Sequence, residues 1–195
     1  MNDIGRGTPT DGLSLHVIHR GHNKMNVFAD EYDHHVFVHF LSRLVARFEL
    51  QIHAFAILST HDHLIVTPPG DVLPAAMKSL ATRYTKYFNA KYGRSGTAWM
   101  GRYRAKLIRD EKYALTCLRY VDQNPVRANL VARPEQYRWS SHAAYASGMF
   151  PTWITPHPAY LGLASTPHGR QQVYQALFDR PLSEAELVEQ RLTGA

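Results

Sequence analysis

His61 and His63 stand two apart in the run Ile57-Leu-Ser-Thr-His61-Asp-His63-Leu-Ile-Val66, and Tyr120 lies further on in Leu118-Arg-Tyr120-Val-Asp-Gln123-Asn124-Pro125-Val-Arg127. On a strand, side chains alternate, so both imidazoles leave one face and can share one ion. Neutral imidazole is a good metal ligand. On a helix, Gln123 and Asn124 sit beside Tyr120, three and four residues on. A phenol with a pKa near 10 is a poor nucleophile at neutral pH and needs a metal or a cation to favour the phenolate. An amide oxygen from Gln123 or Asn124 could complete the ion's shell, and hard oxygen with imidazole suits Mg²⁺ or Mn²⁺. Such a set would cut a DNA strand with metal assistance. The plain alternative is that Tyr120 fills a helix–core seam and Asn124 ends the helix before Pro125. With 12 histidines in the chain, chance supplies about 0.7 pairs at this spacing, so the pair alone does not decide.

A second pattern is basic and aromatic. Arg94, Trp99, Arg102, Tyr103, Arg104, Lys106 and Arg109 follow Lys78, Arg83, Tyr84, Lys86, Tyr87 and Lys91. Interleaved cations and rings are what a single strand requires, the cations for phosphates and the rings for unpaired bases. The net charge of +6 and pI near 9.5 favour a polyanionic partner. No apolar run approaches the roughly 20 residues that span a bilayer, which argues against a membrane partner. The opening MNDIGRGTPTDG has no apolar h-region, so the expected location is cytoplasmic. The single cysteine, Cys117, excludes an internal disulfide framework and a cysteine zinc cage.

The elements that would position these groups follow from periodicity. Residues 1–12 read as a flexible start, and 13–19 as a first strand closed by Arg20-Gly21. Apolar residues at spacings of three and four from Val36 to Phe48 predict a helix over 33–50. Residues 51–58 and 61–66 predict a hairpin about Ser59-Thr60. Asp71 is the expected cap of a second helix with Pro74 in its first turn and Gly93 at its end. Alternation over 101–109 predicts a fourth strand, and Asp110 caps a third helix expected to break before Pro125. The order β-α-β-β-α-β-α matches the split βαβ, ferredoxin-like motif: an α+β fold with an antiparallel sheet covered on one face by two helices. Residues 13–148 form the expected catalytic domain. Beyond Pro151, a linker rich in Pro and Gly leads to a helical extension over 149–195, with short helices near 165–178 and 182–193.

Several stretches together carry a resemblance: His16-Val-Ile-His-Arg20-Gly21, Thr60-His61-Asp62-His63-Leu64-Ile65-Val66, Arg83-Tyr-Thr-Lys86-Tyr-Phe-Asn89, Gly101-Arg-Tyr-Arg104, Tyr120-Val-Asp-Gln-Asn124-Pro-Val-Arg127-Ala128 and Tyr137-Arg-Trp139-Ser-Ser141. Over about residues 13–146 the chain resembles the REP-associated tyrosine transposases, within the single-tyrosine HUH transposases. The resemblance implies a bacterial, nucleoid-associated enzyme acting on single-stranded or hairpin DNA with a divalent ion, Mg²⁺ or Mn²⁺. It implies His61 and His63 as ligands, Asn124 as the third with Gln123 as fallback, and Tyr120 as the nucleophile that forms a 5′-phosphotyrosine. Arg83, Lys86, Arg94, Arg102, Arg104, Lys106 and Arg127 are the expected DNA contacts. Monomers and homodimers both fit it. Two positions depart from the family pattern, which usually has a hydrophobic residue at 62 and commonly Asn at 60. The carboxylate of Asp62 should face the helix-covered core, where it needs a cationic or hydroxyl partner or a distorted strand. It motivates a competing reading, a domesticated hairpin-binding protein with weak or no nuclease activity. A metal hydrolase unrelated to DNA is a third.

Overall fold

A computed structural model describes residues 10–190. Most of the expected flexible start, and the end of the last expected helix, lie outside the described residues. Thr10 to Gly12 are pinned: Thr10 N–H donates to Asp71 Oδ1 (3.1 Å), Gly70 N–H to Asp11 Oδ1 (2.6 Å) and Gly12 N–H to Pro68 O (3.0 Å).

Four strands, β1 (Leu15–Arg20), β2 (Gln51–Leu58), β3 (His61–Thr67) and β4 (Arg104–Leu107), form one antiparallel sheet in the order β2-β3-β1-β4. With α1 (Glu31–Phe48) after β1 and α2 (Leu73–Tyr92) after β3, this is the ferredoxin-like α+β fold that the element order predicts. β4 is shorter than the expected 101–109. Gly101 adopts a φ of 73° and Met100 N–H donates to Arg20 O, so residues 99–101 turn where a strand would extend.

The helix ends have local causes. α1 starts two residues before the expected 33 because Asp30 is its cap: Asp30 Oδ1 accepts from Asp33 N–H (3.0 Å), and Asp33 Oδ2 accepts from Asp30 N–H (3.2 Å). It ends at Phe48 because Glu49 takes a left-handed φ of 54°. Asp71 does not cap α2: Val72 holds the cap position without a side-chain bond, and Asp71 Oδ1 accepts from Thr10 N–H instead. Gly93 ends α2 with φ 60°, as expected. Asp110 caps α3 (Glu111–Arg127) by accepting from Tyr113 N–H at 2.7 Å. The expected break before Pro125 does not occur. Pro125 falls in the last turn, with only Val126 and Arg127 of the helix beyond it, and the Ala128 and Leu130 N–H groups still close onto Asn124 O and Pro125 O.

The two sheet faces bury different partners. Leu15, Val17, Phe55, Ile57, Leu64 and Val66 join Phe37, Leu41, Leu80 and Tyr84 of α1 and α2 in one apolar cluster. Ala54, Ala56, Leu58 and Ile65 meet Ala114, Cys117, Leu118 and Val121 of α3 in a second. Four C-terminal helices complete that second layer: α4 (His142–Ser147), α5 (Pro158–Leu161), α6 (Pro167–Ala176) and α7 (Glu184–Gln190). The segment that reads as a linker is packed. Ile154 pairs with Ile52, Thr155 N–H donates to Ile52 O (2.9 Å), and the His53 ring bridges Thr155 O (2.8 Å) and Thr67 Oγ1 (2.9 Å). Among the described residues no helix is long and apolar enough to cross a membrane.

Asp122, wholly buried on α3, ties this layer together: Ser141 Oγ donates to Oδ1 (2.9 Å) and Tyr174 Oη to Oδ2 (2.7 Å). Replacing it by Ala strands the buried Tyr174 hydroxyl and removes the shortest bond of Ser141 Oγ, which keeps only its longer contacts with Phe55. Asp122→Ala is expected to lose about 2–4 kcal/mol of stability, read from urea unfolding; a wild-type midpoint would remove this carboxylate from the account of how the C-terminal layer is held.

Candidate active site

Strand alternation and the β1–β3 register set the site. His61 and His63 point toward α3, and β1 lays Arg20 beside His61, Ile18 beside His63 and His16 beside Ile65 on that face. The rings of His61 and His63 lie 5.0 Å apart. From α3 the Tyr120 ring meets His63 and His16 edge-on, each at 5.7 Å between centroids. Tyr120 is 8% exposed, so the site is a seam between sheet and helix. The Arg127 guanidinium lies over the Tyr120 ring at 4.9 Å, a cation–π contact two turns on along the same helix face.

Asn124 is buried, and its Nδ2 donates to Tyr120 O at 2.8 Å. That bond uses the amide nitrogen and leaves Oδ1 as the acceptor end. Gln123 instead lines a cavity of about 770 Å³ between the end of α3, α4 and α6, with Arg127, His142 and Phe178. Thr60 Oγ and His61 Nδ1 are hydrogen-bonded at 2.9 Å, so the departure at position 60 supplies a partner to one imidazole.

Burial holds these histidines neutral. It lowers His61 to about 4, with help from the Arg20 cation, and His16 to about 3, with help from Lys106. His63 falls well below its ordinary value, mainly by burial and then through His61 and His16. Neutral rings keep the lone pairs a divalent ion needs. His63 Nε2 is buried with no hydrogen-bond partner, which is the state of a nitrogen whose partner is not protein. Among the described residues no three His, Cys, Asp or Glu side chains gather to hold a metal, so an ion here would require the amide oxygen of Asn124 as well. The residues present fit such an ion.

Asp62, between the two histidines, points the other way, into the α1–α2 layer, paired with His19 on β1 and Ile57 on β2. The strand stays regular in register there and both carboxyl oxygens are buried without a partner. Neither expected remedy is found. Burial instead raises its pKa well above the usual carboxylate range, so that the group is held protonated.

The predicted cations divide. β4 places Arg104 and Lys106 on the histidine face, opposite Ile18 and His16. Lys106 is not open to a ligand: its Nζ donates to Glu189 O of α7. Arg83 and Lys86 are exposed on α2, in the layer on the other side of the sheet. Arg83 shares a groove of about 360 Å³ with Arg43 and Arg47 of α1, two cations that sequence reading passed over. Arg94 lies over the Phe88 ring at 5.8 Å, and Arg102 is exposed before β4. Sequence reading also missed Arg20 and His16 as site residues. Both stood in a recognisable stretch, but only strand pairing sets them beside the histidine pair.

A family model described as "Transposase IS200 like" matches residues 10–124, more than half of the chain. The chain belongs to that family of transposases. Among solved structures it is similar to a REP-associated tyrosine transposase bound to a REP hairpin, with 20% sequence identity and a TM-score of 0.62 over 80% of this chain and 95% of that one. It is also similar to a putative transposase from Deinococcus radiodurans, with 18% identity and a TM-score of 0.42 over 62% of this chain and 95% of that one. No curated protein matches it.

Two stability effects of opposite sign follow. The buried histidines, with depressed folded-state pKa values, contribute stability that is present above about pH 6.5 and lost as pH falls toward about 4 for His19, His61 and His157 and about 3 for His16. Each is expected to cost up to about 1.4 kcal/mol per pH unit in that window, so the urea midpoint should be lower at pH 5 than at pH 7. Asp62, with a raised pKa, acts the other way: its protonated form is favoured as pH falls. Asp62→Leu is expected to gain about 1–3 kcal/mol at neutral pH by removing two unsatisfied buried oxygens. An unchanged or lower midpoint would mean that Asp62 has a partner in solution.

Proposed function

We propose that this transposase cuts and rejoins single-stranded DNA beside a hairpin, with Tyr120 as the nucleophile and His61, His63 and Asn124 holding Mg²⁺ or Mn²⁺. The observation that carries the reading is the seam itself: a tyrosine on α3 pressed edge-on against His63 and His16, with His63 Nε2 buried and unpartnered and His61 next to it. The hairpin as partner is inferred from the REP-associated transposase that shares the fold and from the basic surface.

In the proposed reaction Tyr120 Oη attacks the scissile phosphorus in line and gives up its proton to water. The bond from phosphorus to the 3′ oxygen breaks, and that oxygen leaves to become a 3′-OH. The 5′-phosphate stays on Tyr120, so the linkage retains the energy of the broken diester and a later 3′-OH can attack it without a nucleotide cofactor. The ion, when bound, supplies charge stabilisation at a non-bridging phosphate oxygen. In this reading Arg20, beside His61, and Arg127, over the Tyr120 ring, hold the phosphate. Arg104, Arg102 and Arg94 extend the basic surface, and Arg83 with Lys86 form a second patch on α2. Residues 13–148 are the proposed catalytic unit, with 149–195 as an extension, and the proposed place of action is the nucleoid.

The buried Asp62 favours a second reading, a domesticated hairpin binder that does not cut. Incubation with labelled hairpin oligonucleotides and Mg²⁺ or Mn²⁺ separates the two. A covalent protein–DNA band on a denaturing gel, abolished by EDTA and by Tyr120→Phe while binding persists, is the expected result. Binding without any band across a broad hairpin library would move the assignment to the binder, and a band surviving in Tyr120→Phe would mean another nucleophile. Binding should also weaken with salt, with a log–log slope of about −0.7 per phosphate contacted on a single strand; a flat response would remove DNA as the partner.

A further inference from the structure

The ring nitrogens His16 Nε2 and His63 Nδ1 face each other at 2.9 Å. The other nitrogen of each ring, His16 Nδ1 and His63 Nε2, is buried with no hydrogen-bond partner. A contact between two neutral imidazoles contains one proton and has two forms. If His16 donates, His63 carries its own proton on Nε2 and that nitrogen has no lone pair to offer. If His63 donates from Nδ1, its Nε2 lone pair is free and the proton of His16 sits on Nδ1. Without an ion each form leaves one N–H unpartnered, and neither is favoured on that count. With an ion on His63 Nε2, only the second form survives.

We infer that His16 is a positioning residue for the metal centre: it accepts the Nδ1 proton of His63 and so fixes the tautomer and ring orientation in which His63 Nε2 can ligate. The inference rests on the proposed role of His63 as a ligand. A ligating imidazole generally donates its second N–H to an outer partner, and loss of that partner typically costs 10–100-fold in metal affinity. Here the partner is another imidazole, unlike the commoner carboxylate or carbonyl. The groups around His16 suit an acceptor. Ile65 of β3 and Lys106 of β4 flank it across the sheet, and Tyr120 meets it edge-on. Its one hydrogen bond is the contact with His63, and no carboxylate bonds to either ring nitrogen. His16 also touches the nucleophile's ring, so one side chain orients a ligand and packs against Tyr120.

Mn²⁺ binding to the full chain, followed by the loss of free-ion EPR signal, tests the inference without reference to activity. His16→Leu keeps the bulk and removes the acceptor, and its Mn²⁺ dissociation constant is expected to rise about 10–100-fold. His16→Gln can accept through Oε1 and is expected to recover most of that loss. Wild-type affinity in a folded His16→Leu, or equal loss in both variants with unchanged unfolding midpoints, would overturn the inference. If His16→Leu does not fold, ¹H–¹⁵N correlation of the wild-type imidazoles with Mg²⁺ decides: an Nδ1–H tautomer at His63 supports the inference and an Nε2–H tautomer overturns it. His63→Ala separates the levels. Wild-type Mn²⁺ affinity in that variant would remove His63 as a ligand and overturn both readings. Lost affinity there with none lost in His16→Leu would overturn this one alone.

Discussion

The antiparallel pairing of β1 with β3 is the constraint on which the rest of the structure depends. One register, Leu15 against Val66 through Arg20 against His61, assigns every side chain of the two central strands to a face. A slip by one residue would turn His61 and His63 into the α1–α2 core and bring Asp62 out beside Tyr120. The register is supported by Leu15, Val17, Leu64 and Val66, which fill the α1–α2 layer, while Ile65 packs the opposite face against α3. The chemistry of the site therefore depends on burial of leucine and valine on the opposite side of the sheet.

That arrangement has a cost at position 62. The face that must be apolar receives a carboxyl group with no hydrogen-bond partner, and burial keeps it protonated. His19 pairs with it across the strands and stacks on Trp99 at 3.9 Å, and its own Nδ1 is unpartnered too. The α1–α2 layer tolerates this strain because it is otherwise tightly tied. Asp33 alone accepts from Tyr87, Tyr92, Lys91 and the N–H groups of Ala29 and Asp30.

On the other face, α3 is clamped from both sides. Apolar residues seat it on β2 and β3, and Asp122 links it through Ser141 and Tyr174 to α4 and α6. Tyr120 and Asp122 are two residues apart on this helix, so the C-terminal layer that grips the carboxylate also holds the tyrosine's rotation toward the histidines. α7 reaches further, occupying Lys106 and pairing Arg109 with Glu189. Two cations that look free in the sequence are thereby structural contacts.

Local signals in the sequence determined the element order, the α+β class, the hairpin at Ser59-Thr60, the caps at Asp110 and Gly93, and the common face of His61 and His63. Each follows from periods of two or 3.6 and from residue types that act on their near neighbours. Two helix ends were not legible: Val72 rather than Asp71 holds the cap position of α2, with Asp71 bonded to Thr10, and Pro125 looked like a stop because nothing nearby reports that it falls in a last turn. Likewise hidden were the contact of His16 with His63, the place of Arg20 beside His61, the engagement of Lys106, and the seating of residues 151–158 against β2. These join residues as far as 102 positions apart. Only tertiary structure decided them, because strand register and helix docking are set by the summed burial of many side chains, and no short stretch of sequence carries that sum.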